Sequence, residues 1–592
     1  MTINAIPKYM SVKALRTGYL RGSFTPAEVV ESIIERAKDT EDYHVWITPP
    51  SLECITPYLE KLQHLSITEY PLWGIPFAIK DNIEVQGWPV TAGCPEFSSV
   101  SEQHAVVVER LIAAGAIPVG KTNLDQFATG LVGTRSPYGE THNALRSELI
   151  SGGSSSGSAV AVALGQVAFS LGTDTAGSGR IPAALHGLVG YKPAVGAWPS
   201  SGLVPACRSI DCITVFTHDL EDAVSVDRTV RGPHAEDAFS KARPLGPTSA
   251  PAKWLLPKGE LTFFGPFAEA YEKAWQTAKQ TLLQSGLHVE EVDISMLQEA
   301  AALLYEGPLV AERWADLELF VRQHPGALFP VTEKVLRTGS KETFTAAALF
   351  RAQHRLAEIR RKTEELLQNA VLVLPTCGGT WTREQVLQDP IQTNSQMGLY
   401  TNHCNLLDLS AIAVPAGKVA EDMPFGITLF TLPEQEASMV EAARLLEPHQ
   451  KRLLVAVCGL HMKGMSLEPQ MTGLGAFFVE ETRTAPVYRL YKLNTSPAKP
   501  GLVHTLEGGV SVDLELWSMP LSSFGAFTAA IPAPLGIGKI QLHDGRVVSG
   551  FICEASAAQN AVDMSHLGGW RNIVSNDVVE RSNCLFKVGK KQ

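Results

Sequence analysis

The chain has 592 residues, 45% of them hydrophobic, and a formal net charge of −11. This length suffices for one large α/β domain with a smaller one, or for three ordinary domains. The negative charge argues against general binding to nucleic acid or to anionic membranes, because both depend on clustered cations. The nine cysteines include no C-x-x-C pair, which argues against zinc and disulfide frameworks and indicates reduced thiols.

The N-terminal segment, residues 1–10, lacks the basic start and the apolar core of a signal peptide. No apolar run approaches the roughly 18 residues that a membrane span requires. We therefore expect a cytoplasmic protein that binds neither nucleic acid nor membranes.

A short buried strand is predicted to end at Lys80. The residues before it, Ile75, Phe77, Ala78 and Ile79, are apolar. Burial disfavours an ammonium group, so a neutral Lys80 amine is a candidate general base.

The segment from Gly115 to Thr122 has the spelling of a phosphate-binding loop, G-x-x-x-x-G-K-T. Such a loop follows a strand and opens a helix. Here a helical run, residues 105–114, comes first, and an apolar strand passes through Pro118 and Val119. We therefore predict no nucleotide site.

Two glycine-rich segments then each contribute a serine. Ser154 lies in Gly-Gly-Ser-Ser-Ser-Gly-Ser and Ser178 in Asp-Thr-Ala-Gly-Ser-Gly-Arg. A hydroxyl nucleophile needs a base and donors for the oxyanion it creates. Consecutive backbone N–H groups before Ser178, with Gly177 free to adopt positive φ, form a plausible oxyanion hole. Together with Lys80 the two serines need neither histidine nor metal, so we expect no metal and no cofactor.

An alternative nucleophile is Ser155, which is central in a G-x-S-x-G pattern. That pattern requires a buried strand before it, and the segment Arg146–Ser151 is too polar and too short. It would also leave Lys80 and Ser178 unexplained. Asp174 and Arg180, which flank Ser178, are expected to form a structural ion pair.

These segments resemble the amidase signature family, whose serine hydrolases use a Lys, cis-Ser, Ser triad. The resemblance includes the Gly-Gly-Ser-Ser-Ser-Gly-Ser run and the spacing of Ser154 and Ser178. It extends through Gly120–Asn123 and Gly187–Pro193 to Pro424-Phe-Gly-Ile, about three quarters of the chain. It implies an α/β fold with a mixed central sheet covered by helices.

The same resemblance implies the role of each residue in the chemistry. Ser178 is the nucleophile, Ser154 the cis-peptide relay and Lys80 the base. The oxyanion donors are Thr175, Ala176 and Gly177. Many family members have glycine where this chain has Ala176, a change of little consequence for a hole made of backbone groups.

Alternating helices and strands are predicted to about residue 447. A helix after Pro266 is expected to reach Leu283 and stop at Gly286, with a strand from Leu287. Further on, a helical stretch contains Tyr305 and Arg313. Taken alone, such a tyrosine is usually a core residue and such an arginine a solvated or ion-paired one.

From about residue 450 the pattern changes to β. Val510, Val512, Leu514 and Leu516 alternate with polar residues, as in a half-buried strand. Asp544-Gly545 between two apolar runs predicts a hairpin. We therefore predict two domains, an amidase signature catalytic domain over residues 1–447 and a smaller, mainly β, barrel-like domain over residues 448–592.

Short motifs in the second domain, among them Cys458–Gly464 and Val487–Tyr491, resemble the small barrel of γ-glutamylcyclotransferase type. An amidase domain fused to such a barrel resembles the allophanate hydrolase family. That resemblance implies that Gly130, Tyr305 and Arg313 hold the substrate. It also implies release of ammonia and N-carboxycarbamate from allophanate in urea degradation, in functional coupling to a urea carboxylase. We also expect a homodimer.

Three alternatives stay open at this stage. One is a different small-amide amidase. Another is the glutaminase component of a tRNA-dependent amidotransferase, which the fused barrel disfavours, and the last is a catalytically silent interaction protein. In the second domain, His461 either assists decarboxylation or is structural or exposed.

Overall fold

The computed structural model describes residues 6–246, 250–284, 287–305, 307–446, 452–474 and 476–573. The chain divides into two compact units, Met1–Glu447 and Pro448–Gln592. In the described residues no helix is long and apolar enough to cross a membrane.

Unit 1 contains thirteen strands among its described residues. They are β1 (Trp46–Thr48), β2 (Pro76–Lys80), β3 (Pro89–Val90), β4 (Ser99–Val100), β5 (Ile117–Thr122), β6 (Phe169–Asp174), β7 (Val189–Lys192), β8 (Cys212–Thr217), β9 (Lys253–Pro257), β10 (Val289–Val292), β11 (Ala370–Pro375), β12 (Ser410–Ala420) and β13 (Met423–Thr431).

The α-helices of unit 1 are α1 (Val12–Leu20), α2 (Pro26–Asp39), α3 (Leu52–Leu62), α4 (Val106–Ala113), α5 (Ser156–Ala163), α6 (Ile181–His186), α7 (Leu220–Val230), α8 (Ala268–Gln284), α9 (Ser295–Tyr305), α10 (Ala311–Gln323), α11 (Pro330–Arg337), α12 (Ala346–Leu367), α13 (Arg383–Gln388), α14 (Gln392–Met397), α15 (His403–Leu406) and α16 (Glu436–Leu446).

Eleven of the strands form one mixed sheet in the order β1-β5-β2-β6-β8-β7-β12-β13-β11-β9-β10. Strand β2 runs parallel to both β5 and β6, while β8, β7, β12 and β13 are joined by antiparallel pairs. Along β11, Val371 and Val373 belong to one buried apolar cluster, and Leu372 and Leu374 to another. Since successive strand residues face opposite sides, both faces of the sheet are covered. The expected mixed sheet covered by helices is confirmed.

The carboxyl ends of parallel strands β2, β5 and β6 meet at one edge of the sheet. All five residues of β2 are buried, as the sequence predicted for the strand that ends at Lys80. The predicted helix α8 and strand β10 also form, at 268–284 and 289–292. This edge places the loops after β5 and β6 beside Lys80.

The stretch containing Tyr305 and Arg313 is not one helix. Helix α9 ends at Tyr305, a short 3-10 turn occupies Pro308–Val310, and α10 begins at Ala311. Proline lacks the backbone donor that a continuing helix needs, so the break lies where Pro308 enters.

Unit 2 is β-rich. Its strands are β14 (Arg452–Val457), β15 (Phe477–Arg483), β16 (Tyr488–Leu493), β17 (Lys499–His504), β18 (Asp513–Pro520), β19 (Leu535–Gln541), β20 (Val547–Cys553) and β21 (Val562–Asp563), and its helices are α17 (Glu468–Gly473), α18 (Leu521–Ala529) and α19 (Ala555–Ala558). A five-stranded sheet has the order β15-β18-β14-β20-β19, and a three-stranded sheet the order β17-β16-β21.

The hairpin predicted at Asp544-Gly545 joins β19 to β20, and Gly545 has a φ of +89°. The half-buried strand differs from expectation in two ways. It begins at Asp513, so Val510 lies outside it, and Glu515 is fully buried rather than exposed. The Glu515 carboxylate accepts from Arg571 at 2.6 Å and from the Trp517 indole at 2.9 Å, which compensates its burial.

Candidate active site

Lys80 lies at the carboxyl end of β2 with no exposed surface. Its Nζ donates to three hydroxyl oxygens, those of Ser154 at 2.8 Å, Ser155 at 3.0 Å and Thr173 at 2.7 Å. Burial lowers the pKa of Lys80 to about 7, against the opposing effect of nearby carboxylates, Asp125 first among them. The amine can therefore lose its proton near neutral pH, and its neutral form donates at most two hydrogen bonds and has a lone pair that can accept one from a hydroxyl.

Thr173 is a member of this cluster that sequence reasoning missed. It lies in β6, which pairs in parallel with β2, so its hydroxyl reaches the amine from the neighbouring strand. Only the order of strands in the sheet makes Thr173 a neighbour of Lys80. No local pattern in the sequence contains that order.

The peptide bond between Gly153 and Ser154 is cis. Ser155 precedes helix α5 and is fully buried, and its Oγ donates to the Thr173 carbonyl at 3.0 Å. A nucleophile of an α/β-hydrolase elbow is instead exposed at the top of a sheet. The geometry therefore gives Ser155 a supporting place beside Lys80.

Ser178 lies in the turn between β6 and α6, which we call the catalytic turn and define as residues 174–180. Its side chain is only slightly exposed, at 3%. Among the described residues no hydrogen bond engages its hydroxyl, and none joins it to Ser154. The structure thus links Lys80 to Ser154 directly and leaves the Ser178 hydroxyl available.

The carboxylate of Asp174 organises the catalytic turn from within. It accepts from the backbone N–H groups of Gly177 at 2.8 Å and Gly179 at 3.0 Å. Arg180 adds a bidentate contact at 2.8 and 2.9 Å, which confirms the expected ion pair. Burial, the largest single effect, raises the pKa of Asp174, but the charge and hydrogen bonds of Arg180, the charge of Lys192 and the Gly179 N–H together outweigh it, and the pKa lies below its ordinary value.

The three N–H groups predicted as oxyanion donors are not equivalent. Gly177, whose φ is +134°, gives its N–H to Asp174. Among the described hydrogen bonds there is none from the N–H of Thr175 or Ala176. Of the three predicted donors, those of Thr175 and Ala176 are therefore uncommitted among the described hydrogen bonds.

Asp125, which sequence reasoning did not single out, fills the space behind the serine segments. Its carboxylate accepts from the N–H groups of Gly133 at 3.1 Å and Arg135 at 2.9 Å. A Cβ on Gly130 would lie 2.4 Å from its Oδ2, and one on Gly153 only 2.0 Å away. Both positions thus require glycine for steric reasons, and a substrate contact of Gly130 stays a prediction.

Arg313 is buried, with 1% of its surface exposed, so it is not the solvated group its sequence context suggests. It lies in α10, and its Nη1 donates to the Thr129 hydroxyl at 3.0 Å. Its charge lowers the pKa of both Lys80 and the nearby Asp211, although burial still raises the pKa of Asp211 to about 6. Tyr305 is the last residue of α9, and its side chain lies outside the described part of the chain.

The phosphate-loop spelling has a structural explanation. Gly120, Lys121 and Thr122 belong to strand β5, and Lys121 forms a buried ion pair with Asp81 at 3.3 Å. Its amine also donates to the Pro89 carbonyl at 3.1 Å. Lys121 is thus committed to the protein interior.

His461 in unit 2 lines a cavity of about 310 Å³, together with Cys458, Lys499 and Phe551. Its ring stacks on Phe551 with a centroid distance of 5.0 Å, and its Nε2 lies 3.1 Å from the Gln470 amide oxygen. Burial lowers the pKa of His461. Within the described ranges, neither unit contains a group of three or more His, Cys, Asp or Glu side chains placed so that together they could hold a metal ion.

Two family models match the chain. Residues 28–440 match the family model described as Amidase, and residues 453–575 match the one described as Allophanate hydrolase C-terminal domain. The chain is 37% identical to urea amidolyase of Saccharomyces cerevisiae over 92% of its own length and 32% of that protein. It therefore spans about a third of the length of the urea amidolyases it matches.

Two further matches cover most of the other protein. The allophanate hydrolase of Kluyveromyces lactis, solved with selenomethionine, is 36% identical with a TM-score of 0.72, over 96% of this chain and 100% of that one. A glutamyl-tRNA(Gln) amidotransferase component of Sulfurimonas denitrificans is 30% identical over 63% of this chain and 89% of that protein. Unit 2 therefore separates this chain from the amidotransferase components.

Proposed function

The chain belongs to the amidase family and is an amidohydrolase of the allophanate hydrolase type, and on this premise we propose that Ser178 attacks the terminal amide of allophanate. The hydroxyl of Ser178 gives its proton to Ser154, and at the same time Ser154 gives its own proton to the neutral amine of Lys80. The Ser178 Oγ then bonds to the carbonyl carbon. Backbone N–H groups of the catalytic turn donate hydrogen bonds to the carbonyl oxygen as negative charge develops on it.

The tetrahedral intermediate collapses when the carbon–nitrogen bond breaks. The departing nitrogen takes the proton held by Lys80, through Ser154, and leaves as ammonia. Water then attacks the acyl-enzyme, its proton returns by the same relay, and the Ser178 Oγ leaves as the hydroxyl. The product is N-carboxycarbamate, which yields further ammonia and carbon dioxide.

The observation that carries this proposal is the contact of Lys80 with Ser154 at 2.8 Å, in a site where burial lowers the pKa of the amine to about 7. A base must be both within reach and deprotonated at working pH. The contact with Ser154 supports the first condition, and the lowered pKa of Lys80 supports the second. Its amine also lies against Ser155 and Thr173, which hold it in place.

Substrate choice is assigned to Arg313, with Gly130 and Tyr305 as further contacts. Allophanate carries a carboxylate a few bonds from the reacting amide, and a guanidinium can bind it in bidentate fashion. The burial of Arg313 supports this role, because a shielded cation attracts an anion more strongly than an exposed one. In this role Arg313 fixes the amide near Ser178.

The cavity around His461 suggests a second candidate role for unit 2, in the decarboxylation of N-carboxycarbamate. We also propose, from the sequence and from the likeness to urea amidolyases, functional coupling to a urea carboxylase. A homodimer and a cytoplasmic location stay predictions.

The test is ammonia release from the purified protein, offered allophanate, malonamate, glutamine and urea separately, without ATP or biotin. We expect turnover of allophanate to exceed that of the others. A preference for glutamine would instead favour an amidotransferase glutaminase, and a preference for malonamate another small-amide amidase.

A further inference from the structure

Two side chains from the segment 401–405 hold the catalytic turn by its carbonyl groups. The Thr401 hydroxyl donates to the Ala176 carbonyl at 2.7 Å. The Asn405 side-chain amide donates to the Asp174 carbonyl at 2.6 Å and to the Ile210 carbonyl at 2.7 Å. Asn405 is 1% exposed, so both bonds are shielded from water.

The orientation of the Asn405 amide follows from its surroundings. Both groups that it faces are carbonyl oxygens, which only accept hydrogen bonds. The Nδ2 must therefore point at them, because the opposite orientation would place three acceptor oxygens together. The Asn405 side chain thus acts as a fixed bridge between β6 and the residue that precedes Asp211.

A planar trans peptide group transmits this constraint to the other side of the turn. The carbonyl of one residue and the N–H of the next point in opposite directions. When Asn405 fixes the Asp174 carbonyl, it also fixes the direction of the Thr175 N–H. In the same way Thr401 fixes the N–H of Gly177.

The two constraints have different consequences. The Gly177 N–H is already donated to Asp174 at 2.8 Å. That of Thr175, within the described part of the chain, makes no hydrogen bond. Only the Asn405 bridge therefore aims a donor that is free to meet an oxyanion.

We infer that Asn405 is a positioning residue of the oxyanion hole, which orients the Thr175 N–H through the Asp174 carbonyl. This inference rests on the proposed function of Ser178 as nucleophile. It adds a residue, far from the serine segments in sequence, on which transition-state stabilisation depends.

The test compares Asn405→Ala with Asn123→Ala in the full chain. Asn123 is a matched control, because its buried amide also donates to two carbonyls, those of His44 and Gly139, both at 3.0 Å. We expect Asn405→Ala to lower kcat for allophanate by about tenfold to a hundredfold, with KM changed less than about threefold, since a lost oxyanion donor costs about a hundredfold or more. Asn123→Ala should lower Tm without that loss of kcat.

A second readout is the affinity for a small alkylboronic acid, which forms a tetrahedral adduct with a serine nucleophile and places an oxygen at the oxyanion hole. We expect this affinity to fall with kcat in Asn405→Ala and to be retained in Asn123→Ala. Should Asn405→Ala fail to fold, Asn405→Ser, which keeps a polar group but is too short to bridge the two carbonyls, gives the same comparison.

Unchanged kcat and boronate affinity in a folded Asn405 variant would overturn the inference. So would equal losses of kcat in the Asn405 and Asn123 variants, since that would mean a structural role only. A parent protein that binds the boronate but does not hydrolyse allophanate would refute the proposed function, and the boronate comparison would still decide the role of Asn405.

Discussion

The Nζ of Lys80 lies 2.8 Å from the Oγ of Ser154, and neither side chain has surface exposed to water. Burial accounts for both properties that the proposed base needs, a fixed position and a lowered pKa. Because the amine is buried, a change in a neighbouring charge should shift the pKa of Lys80 strongly.

The pH dependence of kcat/KM should follow the Lys80 amine. Because the neutral form is the base, kcat/KM for allophanate should rise with pH, level off above the pKa of about 7, and fall tenfold per unit well below it. Lys80→Arg should be as inactive as Lys80→Ala, because arginine stays protonated. An arginine variant near parental activity would mean that Lys80 supplies only charge.

Thr173→Val should lower kcat/KM for allophanate by about tenfold or more, because Lys80 loses one of its three hydroxyl partners. Thr214→Val is the matched control. Its hydroxyl is buried on the adjacent strand β8 and, among the described residues, has no hydrogen-bond partner. Steady-state kinetics of both variants measure the loss of activity, and thermal unfolding measures the loss of stability. Equal activity in the two variants would mean that the Thr173 hydroxyl does not support the Lys80 amine.

Arg313→Ala should discriminate between charged and neutral substrates. Loss of a charge-assisted hydrogen bond of about 1.5–3 kcal/mol corresponds to a fall of about tenfold to 150-fold in kcat/KM for allophanate. Biuret, a neutral amide, should lose much less. Arg322→Ala changes an exposed arginine on the same helix and should leave both substrates unaffected. Equal losses for allophanate and biuret would assign Arg313 to the fold.

A shortened chain that ends at Glu447 should fold and release the first ammonia. Every residue assigned to that step precedes this position, and the two units are separately compact. Circular dichroism and ammonia release from allophanate provide the measurement. A folded but inactive product would mean that unit 2 completes the active site.

Local patterns in the sequence sufficed for part of this account. The apolar run before Lys80 predicted a buried strand, and Asp544-Gly545 predicted a hairpin, because each depends on adjacent residues. The prediction of one helical stretch around Tyr305 and Arg313 was wrong at its middle, where the Gly307-Pro308 pair is the local signal for a break.

The remaining features depend on contacts between distant segments. Thr173 meets Lys80 only because β6 lies beside β2, and Asn405 meets Asp174 although they lie 231 positions apart in the chain. The burial of Glu515 depends on Arg571, which follows it by many residues. No periodicity within a single segment contains such pairings.

The measurement that tests the central claim most directly is ammonia release from allophanate by the parent protein, Ser178→Ala and Ser155→Ala, side by side. The account predicts no release by Ser178→Ala and a substantial remainder in Ser155→Ala, because Ser155 only supports the amine. Retained release in Ser178→Ala, or an acyl adduct trapped on Ser155, would contradict it.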